Sequence, residues 1–309
     1  MGPYLSAPKR DKRKASGENQ RLRFASSEMQ GWRNSMEDAK LTNVQLDSNT
    51  SIFGVFDGHG GAEVAEFVSR HFSRQLLLTP AYREGRLEDA LRETFLRMDE
   101  LLNTIEAKRE LVRISRNLPN NYPVEPDDNL MAGCTAVVSL VRGNQLIVAH
   151  AGDSRCVLCR EGRALELTRD HKPDLPEERT RIIRAGGNIV DGRIMGNLNL
   201  SRSIGDLEYK KNAALPPQDQ IITAYPDVRR ETITENDDFF ILACDGVWEM
   251  LDSQQAIEFV HKKIKNKPIT VIADEMLDKC LARDVSSSGG LGCDNMTAII
   301  VAFNHPLGQ

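Results

Sequence analysis

Short apolar runs recur along the chain and predict β-strands. The clearest runs are rich in β-branched and aromatic side chains, as strands are, and cover 51–56, 136–141, 145–149, 238–243 and 297–302. The second and third of these runs are separated only by Arg142, Gly143 and Asn144, and a similar short turn covers residues 161–163. Connections this short predict antiparallel hairpins.

Other segments repeat apolar residues at every third or fourth position, which predicts amphipathic helices. These segments cover 63–77, 87–105, 177–185, 253–264 and 270–281. Gly186 and Gly187 would end the third helix, and Ser253 would cap the start of the fourth. Hairpin strands with helices between them predict antiparallel sheets covered by helices, not a parallel βαβ arrangement.

The pattern of strands and helices runs without a linker and predicts one domain over residues 22–304. Residues 1–21 carry a basic cluster and no apolar periodicity, so we expect a disordered tail there, and residues 305–309 would form a short second tail. Two polar stretches, 106–131 and 173–211, fit neither pattern. Long loops of this kind are often functional.

Composition narrows the classes of function. The 309 residues carry a formal net charge of -5, so we expect no nucleic-acid partner. No apolar run is long enough to cross a bilayer, and no signal peptide opens the chain. The 6 cysteines are scattered and several lie in apolar runs, which is typical of buried thiols in a reducing compartment. We therefore expect a protein of the cytoplasm, the nucleus or both, and we expect a monomer.

The first residues match the loose pattern for N-myristoylation of Gly2, although Pro3 is a poor neighbour for acylation. If Gly2 is modified, the basic cluster within residues 9–14 would supply the second signal that membrane binding needs, and weak peripheral association would result. The alternative is a solvated leader.

Cys156 and Cys159 form a C-x-x-C pair, a spacing that zinc sites use. The pair lies in a run that predicts a strand, and residues three apart on a strand point to opposite faces. The two sulfurs therefore cannot easily share an ion, and the sequence holds no second pair. We expect ordinary strand cysteines.

Aspartates stand at the ends of four predicted strands, usually beside glycine: Asp57, Asp153, Asp245 and Asp294. If these ends lie at one edge of the sheets, the carboxylates converge and repel one another unless a cation lies among them. Oxygen ligands without histidine or cysteine favour Mg²⁺ or Mn²⁺ over zinc. The alternative for any single Asp-Gly pair is an ordinary turn.

Four neighbouring residues extend this site. Glu37 and Asp38 would add acidic ligands, while Arg33 either forms a surface salt bridge or binds a phosphate with its guanidinium. His59 lies two residues after Asp57, where it either exchanges a proton near neutral pH or is structural. The pattern alone indicates a metal-dependent hydrolase and does not name the substrate.

Eight segments, taken together and in order, resemble the protein phosphatase 2C family of metal-dependent protein serine/threonine phosphatases. The segments are Gly31-Trp-Arg-Asn-Ser-Met-Glu-Asp38, Val55-Phe-Asp-Gly-His-Gly-Gly61, Gly133-Cys-Thr-Ala136, Ala151-Gly-Asp-Ser-Arg155, Asp170-His-Lys-Pro173, Leu200-Ser-Arg-Ser-Ile-Gly-Asp206, Ala243-Cys-Asp-Gly-Val-Trp248 and Asp294-Asn-Met-Thr297. The resemblance spans about residues 22–304. It implies an α+β fold in which two antiparallel sheets pack face to face, with helices on both sides.

The resemblance also implies a pair of Mn²⁺ or Mg²⁺ ions at one end of the sandwich and phosphorylated proteins as substrates. At matching positions, Asp57 would bridge both ions, Asp245 and Asp294 would hold one of them, and Glu37 with the carbonyl of Gly58 would hold the other. Residues 173–211 would form the family's flap beside the site.

Three further roles follow from the same resemblance. Asp38 would orient the water, Arg33 would hold the phosphate, and His59 would protonate the departing seryl or threonyl oxygen. A hydroxide that bridges the ions would attack phosphorus in line, without a phosphoenzyme.

The chain departs from the family pattern at two positions. Glu249 stands where relatives often carry aspartate, and with Asp153 this position helps to hold a weaker third ion in similar proteins. The extra methylene of glutamate moves the carboxylate by over ~1 Å, so the resemblance does not extend to the affinity of the third site for an ion. Asn199 stands where a small residue is common.

The main alternative is a pseudophosphatase, in which the same fold acts as a binding or regulatory module. It predicts lost ligands, whereas Asp57, Asp245 and Asp294 are all present. Phosphatases with histidine-rich binuclear sites would need several histidines near the aspartates, and this chain has only 6 histidines in all. Haloacid-type phosphatases would need an Asp-x-Asp sequence on a first strand, and the sequence Asp57-Gly-His does not meet that requirement.

Overall fold

The strands are grouped in sequence, and the helices lie between the groups. The computed structural model describes residues 4–127 and 131–304. The strands are β1 Lys9–Glu18, β2 Leu22–Gly31, β3 Ala39–Asn43, β4 Thr50–Phe56, β5 Gly58–His59, β6 Gly133–Cys134, β7 Ala136–Arg142, β8 Gln145–Ala151, β9 Arg155–Arg160, β10 Arg163–Glu166, β11 Ile189–Val190, β12 Arg193–Ile194, β13 Ile204–Gly205, β14 Asp227–Thr232, β15 Asp237–Ala243 and β16 Met296–Phe303. The helices are α1 Glu63–Leu78, α2 Pro80–Arg83, α3 Leu87–Leu102, α4 Ile105–Ser115, α5 Pro176–Arg184, α6 Asp245–Trp248, α7 Ser253–His261, α8 Ile269–Cys280 and α9 Val285–Ser288.

Most of these strands belong to two antiparallel sheets. The six-stranded sheet has the order β1-β2-β16-β15-β9-β10, and the five-stranded sheet has the order β14-β8-β7-β4-β3. The predicted hairpins β7–β8 and β9–β10 are both present. A three-stranded sheet, β13-β6-β5, and the hairpin β11-β12 are smaller.

The two large sheets pack face to face through apolar side chains. The ring centroid of Phe53 on β4 lies 5.3 Å from that of Phe24 and 6.2 Å from that of Phe240, both of the other sheet. Successive side chains of a strand point to opposite faces, so Phe240 and Leu242 of β15 enter this interior while Phe239 faces the helices.

Helices cover the two outer faces. α1 and α3 pack on the five-stranded sheet, where the rings of Phe72 and Phe95 meet edge to face at 5.4 Å. α7 and α8 pack on the six-stranded sheet through side chains such as Ile257 and Leu277. The order helix, sheet, sheet, helix confirms the α+β sandwich that the sequence predicts.

The C-x-x-C cysteines lie on opposite faces of β9. Cys156 belongs to the interior between the sheets, whereas Cys159 belongs to the apolar layer under α7 and α8. Both thiols are free and buried. The prediction that the pair cannot share an ion is therefore confirmed by the geometry of the strand.

The basic segment near the N-terminus is a strand and not a tail. β1 pairs antiparallel with β2, and Lys12 and Lys14 form ion pairs with Asp278 at 2.7 Å and Asp274 at 2.5 Å on α8. The expectation of a disordered tail over residues 1–21 is wrong for this segment. β1 is an edge strand with mostly exposed polar side chains, so it carries no apolar pattern.

Two expectations fall on residues that the structure does not describe. Gly2, the predicted myristoylation site, and the C-terminal tail over 305–309 lie outside the described residues. Within 4–127 and 131–304, no helix has the length and apolar character needed to cross a membrane.

The stretch 106–131 contains most of a helix that the sequence pattern does not predict. α4 buries three apolar side chains, those of Ala107, Leu111 and Val112, whereas Ile105 in its first turn is exposed. The helix expected over 87–105 ends at Leu102, and α4 begins after the N-cap Thr104.

The start of α7 is capped one residue earlier than expected. Asp252, not Ser253, is the N-cap: its carboxylate accepts a hydrogen bond from the N–H of Gln255 at 2.7 Å. The side chain of Gln255 accepts one from the N–H of Asp252 in return, which completes a capping box.

Residues 173–211 include α5 and the hairpin β11-β12, and Ile182 and Ile194 of this stretch form a small apolar cluster with Ile222. Glu178 of α5 anchors this flap, because its carboxylate is 1% exposed and forms ion pairs with Arg181 and Arg202, each at 2.6 Å.

Candidate active site

A cavity of about 610 Å³ opens at one end of the sandwich. It contains every site residue predicted from the sequence except Asp38. These lining residues are Arg33, Glu37, Asp57, Gly58, His59, Asp153, Asp245, Glu249 and Asp294.

Both large sheets supply carboxylates to this cavity. Asp57 follows β4 and Asp153 follows β8, and these strands end at the same edge because both pair antiparallel with β7. Asp245 follows β15 and Asp294 precedes β16, its antiparallel neighbour. The convergence predicted for the four strand-end aspartates is therefore present.

Burial disfavours the charged form of these carboxylates. Burial and the nearby charge of Asp245 raise the pKa of Asp57 well above its usual value, and burial and Asp153 do the same for Asp245. Burial also raises the pKa of Asp38 to about 7, although Asp38 accepts a hydrogen bond from Thr297 Oγ1 at 2.7 Å. A divalent cation would offset this repulsion, so the oxygen-rich donor set fits a hard metal ion.

Asp38 lies behind the lining residues. It is 7% exposed, and its carboxylate, that of Asp57 and the thiol of Cys244 offer ligand atoms within 4.8 Å of one another. Asp38 therefore lies next to Asp57, and its charge is one of those that raise the pKa of Asp57.

Glu37 is held in place from several sides. Its N–H donates to Asn295 Oδ1 at 2.8 Å, and its carboxylate accepts from Ser35 Oγ at 2.6 Å and from the N–H of Gly61 at 3.2 Å. A Cβ at Gly58 would collide with the carbonyl oxygen of Glu37, so glycine is required for this close approach.

Arg33 pairs with one of the predicted metal ligands. Its Nη2 donates to Asp294 Oδ2 at 2.6 Å, and its Nε is buried without a hydrogen-bond partner among the described residues. Since a guanidinium carries five N–H donors, this ion pair leaves donors for an anion. The salt-bridge and phosphate-binding interpretations are therefore compatible.

His59 on β5 contacts an aspartate that the sequence analysis did not single out. Its Nε2 lies 2.7 Å from Asp206 Oδ2. Burial alone would lower the pKa of His59, but the hydrogen bond and the charge of Asp206 outweigh it and raise the pKa. The imidazole is thus held in one orientation, with its protonated form favoured.

Three short strands bring Asp206 next to His59, because β5 and β13 both pair with β6. The Asp206 side chain is 2% exposed and accepts a hydrogen bond from Ser203 Oγ at 2.5 Å. A Cβ at Gly133 on β6 would lie 2.6 Å from His59 Nε2 and would also collide with Asp206. The sequence signal that was available for Asp206 is its position at the end of the 200–206 motif.

Lys172 is a second residue outside the predicted set. Its Nζ donates to Asp153 Oδ2, and the Asp153 side chain is 3% exposed. Burial would lower the pKa of Lys172, but the charge of Asp153 outweighs it and raises the pKa. Asp153, one of the two candidate third-ion ligands, therefore already has a cationic partner.

The flap borders the cavity, as the resemblance implies. Arg193, Asn199 and Leu200 are among the lining residues. Asn199, the position where the chain departs from the family pattern, therefore faces the site and not the protein interior.

Comparison with known proteins agrees with this geometry. The family model described as "Protein phosphatase 2C" matches residues 22–289. "Probable protein phosphatase 2C 3" of Paramecium tetraurelia is 51% identical over 306 residues, which cover 97% of this chain and 99% of that protein.

Two solved structures from Toxoplasma gondii share the fold. "Crystal structure of a phosphatase from a pathogenic strain Toxoplasma gondii" has a TM-score of 0.75 at 22% identity and covers 96% of each chain. "Crystal structure of serine-threonine phosphatase 2C from Toxoplasma gondii" has a TM-score of 0.70 at 24% identity and covers 97% of this chain and 98% of that chain. The chain belongs to the protein phosphatase 2C family, whose members are metal-dependent serine/threonine protein phosphatases.

Proposed function

We propose that this protein hydrolyses phosphoserine and phosphothreonine in other proteins at a centre of two Mn²⁺ or Mg²⁺ ions. The observation that carries the proposal is the meeting of buried carboxylates with Arg33 and His59 in one cavity. Carboxylates alone would make a cation site. A guanidinium and a protonatable imidazole beside them make a site suited to cleaving a phosphate ester.

The proposed ligands form two groups around one shared residue. Asp57 would bridge both ions, Asp245 and Asp294 would hold one, and Glu37 with the carbonyl of Gly58 would hold the other. The burial of Asp57 and Asp245 and the raised pKa of each support this assignment. Bound ions of this kind activate water as the nucleophile and offset charge on the phosphoryl group.

Arg33 and Asp38 have positioning roles in this proposal. Arg33 would hold the phosphate through the N–H groups that Asp294 does not occupy, in the paired geometry that guanidinium and phosphate favour. Asp38 would orient the attacking water, with one carboxylate oxygen fixed by the hydroxyl of Thr297.

His59 would protonate the departing seryl or threonyl oxygen. Its Nε2 is engaged by Asp206, so Nδ1 is the nitrogen left to donate the proton. The raised pKa of His59 supports an imidazolium as the starting state.

Direct attack by water, without a phosphoenzyme, is part of the proposal. The hydroxyl of Ser35 donates to Glu37, and that of Thr135 is 2.8 Å from the hydroxyl of Ser154. Among the described residues, neither of these cavity hydroxyls forms a hydrogen bond with a histidine, the usual base for a serine or threonine nucleophile.

A weaker third ion at Asp153 and Glu249 is proposed to compete with Lys172. The ammonium of Lys172 already offsets the charge of Asp153. Burial and the charge of Asp294 raise the pKa of Glu249, and the same ammonium opposes that shift only in part. An ion that binds there must displace Lys172 or share Asp153 with it.

Phosphate release from a phosphothreonine peptide tests the proposed function. Activity should disappear after chelation and return when either Mn²⁺ or Mg²⁺ is restored, with the circular dichroism spectrum of the chain unchanged. Turnover that persists in excess chelator would exclude the metal mechanism. Absence of turnover at every metal concentration, from folded protein, would favour the pseudophosphatase alternative.

A further inference from the structure

Cys159, Asp238 and His261 meet at the end of β15 opposite to Asp245. Cys159 lies on β9, Asp238 is the second residue of β15, and His261 is the last residue of α7. Cys159 Sγ lies 3.8 Å from Asp238 Oδ2 and 3.8 Å from His261 Nδ1. Asp238 Oδ2 and His261 Nδ1 are 3.1 Å apart. Residues distant in sequence thus bring a thiol, a carboxylate and an imidazole together.

These separations match the edges of a tetrahedral metal site. Typical bond lengths to zinc are about 2.3 Å for sulfur and about 2.0–2.1 Å for nitrogen and oxygen. A tetrahedral ion would therefore separate sulfur from nitrogen or oxygen by about 3.6 Å, and nitrogen from oxygen by about 3.3 Å. The observed separations differ from these values by only a few tenths of an ångström.

The surroundings of the three side chains suit a cation that enters from solvent. The side chains of His261 and Asp238 are 36% and 38% exposed, while Cys159 is fully buried beneath them. His261 also lies at the C-terminus of α7, where the helix dipole favours positive charge. Three protein ligands with one open side leave the fourth position to a water molecule.

Another group of possible metal ligands contains two histidines: His150, His171 and Asp227. Its ring nitrogens already form hydrogen bonds. The Nδ1 of His171 accepts a hydrogen bond from the N–H of Gly152 at 3.2 Å, and its Nε2 lies 3.2 Å from Asp227. His150 Nε2 bonds the carbonyl of Arg169 at 2.9 Å, and the two rings stack 4.4 Å apart. These rings bond to backbone groups outside the cluster, whereas the contacts between Cys159, Asp238 and His261 are among the three ligands themselves.

We propose that Cys159, Asp238 and His261 form a second metal site, separate from the catalytic cavity, that binds Zn²⁺. Thiolate and imidazole ligands select Zn²⁺ over the hard ions Mg²⁺ and Mn²⁺. On binding, the S–H bond of Cys159 breaks, its proton passes to solvent and a sulfur–zinc bond forms without any change of oxidation state. The ion links α7 to β9 and β15, so it stabilises the fold.

Titration of the full chain with Co²⁺, in excess Mg²⁺, tests the proposal. Co²⁺ occupies zinc sites, and a thiolate ligand gives an intense near-ultraviolet charge-transfer band that carboxylates and imidazoles do not give. We expect this band at one equivalent of Co²⁺, and we expect Zn²⁺ to abolish it. His261→Asn should weaken Co²⁺ binding at least on the order of 10- to 100-fold, the loss that even indirect changes at metal sites cause.

The chain supplies two matched cysteine controls. Cys156→Ser changes the other cysteine of the C-x-x-C pair, on the opposite face of β9, and this variant should keep the band. Cys159→Ser should lose it. Cys244→Ser is needed because Cys244 lies within 4.8 Å of Asp38 and Asp57 and could ligate Co²⁺ in the catalytic cavity. Absence of the band in the natural chain, its survival in Cys159→Ser, or its loss in Cys244→Ser with retention in His261→Asn would each overturn the proposal.

Discussion

Asp206 has a backbone conformation that non-glycine residues seldom adopt. Its φ is 49°, in the left-handed region, and its N–H donates to the carbonyl of Ala132 at 3.2 Å. Such conformations persist where surrounding contacts hold them, and they cluster at functional sites. Here the hydrogen bonds to Ser203 and His59 supply those contacts. We infer that Asp206 is a positioning residue for His59.

Asp206→Asn keeps the shape of the side chain and removes its charge. We expect kcat on a phosphothreonine peptide to fall by about 10- to 100-fold, because general acid catalysis contributes about 10²–10⁴-fold and the amide still orients the ring. The loss on p-nitrophenyl phosphate should be smaller, because nitrophenolate leaves without a proton. Steady-state kinetics on both substrates measures this difference.

Two variants control this result. Gly133→Ala should reproduce the difference between substrates, because its Cβ would separate His59 from Asp206. Glu208→Gln removes a nearby carboxylate that has no contact with His59 and should leave both rates unchanged. Equal losses on the peptide and the aryl phosphate in Asp206→Asn would contradict the positioning role.

Asp294→Asn tests the ligand assignment at a single position. The amide is a weaker ligand for a hard cation and no longer pairs with the charge of Arg33. We expect the Mn²⁺ concentration for half-maximal activity to rise on the order of 10-fold or more, with the thermal unfolding profile of the metal-free chain retained. Asp278→Asn, on the exposed face of α8, should keep the natural metal dependence. Normal rates of Asp294→Asn at low Mn²⁺ would exclude Asp294 as a ligand.

At the scale of elements, the flap depends on one buried acidic group. Burial would raise the pKa of Glu178, but hydrogen bonds from Arg202 and the charge of Arg181 lower it to about 2. Glu178→Gln leaves two guanidinium groups without their carboxylate, so we expect the free energy of unfolding to fall by about 3–5 kcal/mol. Glu177→Gln, on the exposed side of α5, should change it by less than about 0.5 kcal/mol. Urea denaturation measures both variants.

The same ion pairs predict a pH dependence. The folded pKa of Glu178 lies below its ordinary value of 4.5, so its stabilising contribution is complete above pH 4.5 and is lost as the pH falls towards about 2. The stability difference between the natural chain and Glu178→Gln should therefore shrink over that range. A difference that stays constant from pH 6 to pH 3 would contradict the assigned ion pairs.

The edge strand β1 carries a second prediction at this scale. Deletion of residues 1–18 removes the ladder that covers β2, and we expect a loss of several kcal/mol in unfolding free energy, because each backbone hydrogen bond contributes about 0.5–1.5 kcal/mol. The deletion should also increase light scattering, since an open β2 edge can pair with another chain.

The double variant Lys12→Ala/Lys14→Ala serves as the control for that deletion. It keeps the strand and removes only partly exposed ion pairs, so it should lose no more than about 1 kcal/mol per pair. A truncated chain as stable as the full chain in urea would show that β1 does not contribute to the fold.

At the scale of the whole molecule, the sequence predicted what local signals encode. Apolar runs, short hairpin turns and aspartates at strand ends are readable within about ten residues, and they predicted β4, β7, β8, β15 and β16 and the convergence of four aspartates. The packing of two sheets and the roles of Gly58 and Glu249 came from the family resemblance. The roles of Asp206 and Lys172 were not predicted, because they depend on partners far away in sequence, His59 and Asp153. β1 escaped because an edge strand stabilised by charged pairs resembles a solvated tail.

The carboxylates of the cavity come from different layers of the sandwich. Asp57 and Asp153 follow strands of one sheet, and Asp245 and Asp294 adjoin strands of the other, so repulsion between Asp57 and Asp245 acts across the two sheets at this end. A cation bound between them stabilises only the state in which both sheets are packed. When divalent ions are scarce, this end should open first and expose strand ends to proteases. The ions that permit turnover would then also protect the protein from proteolysis.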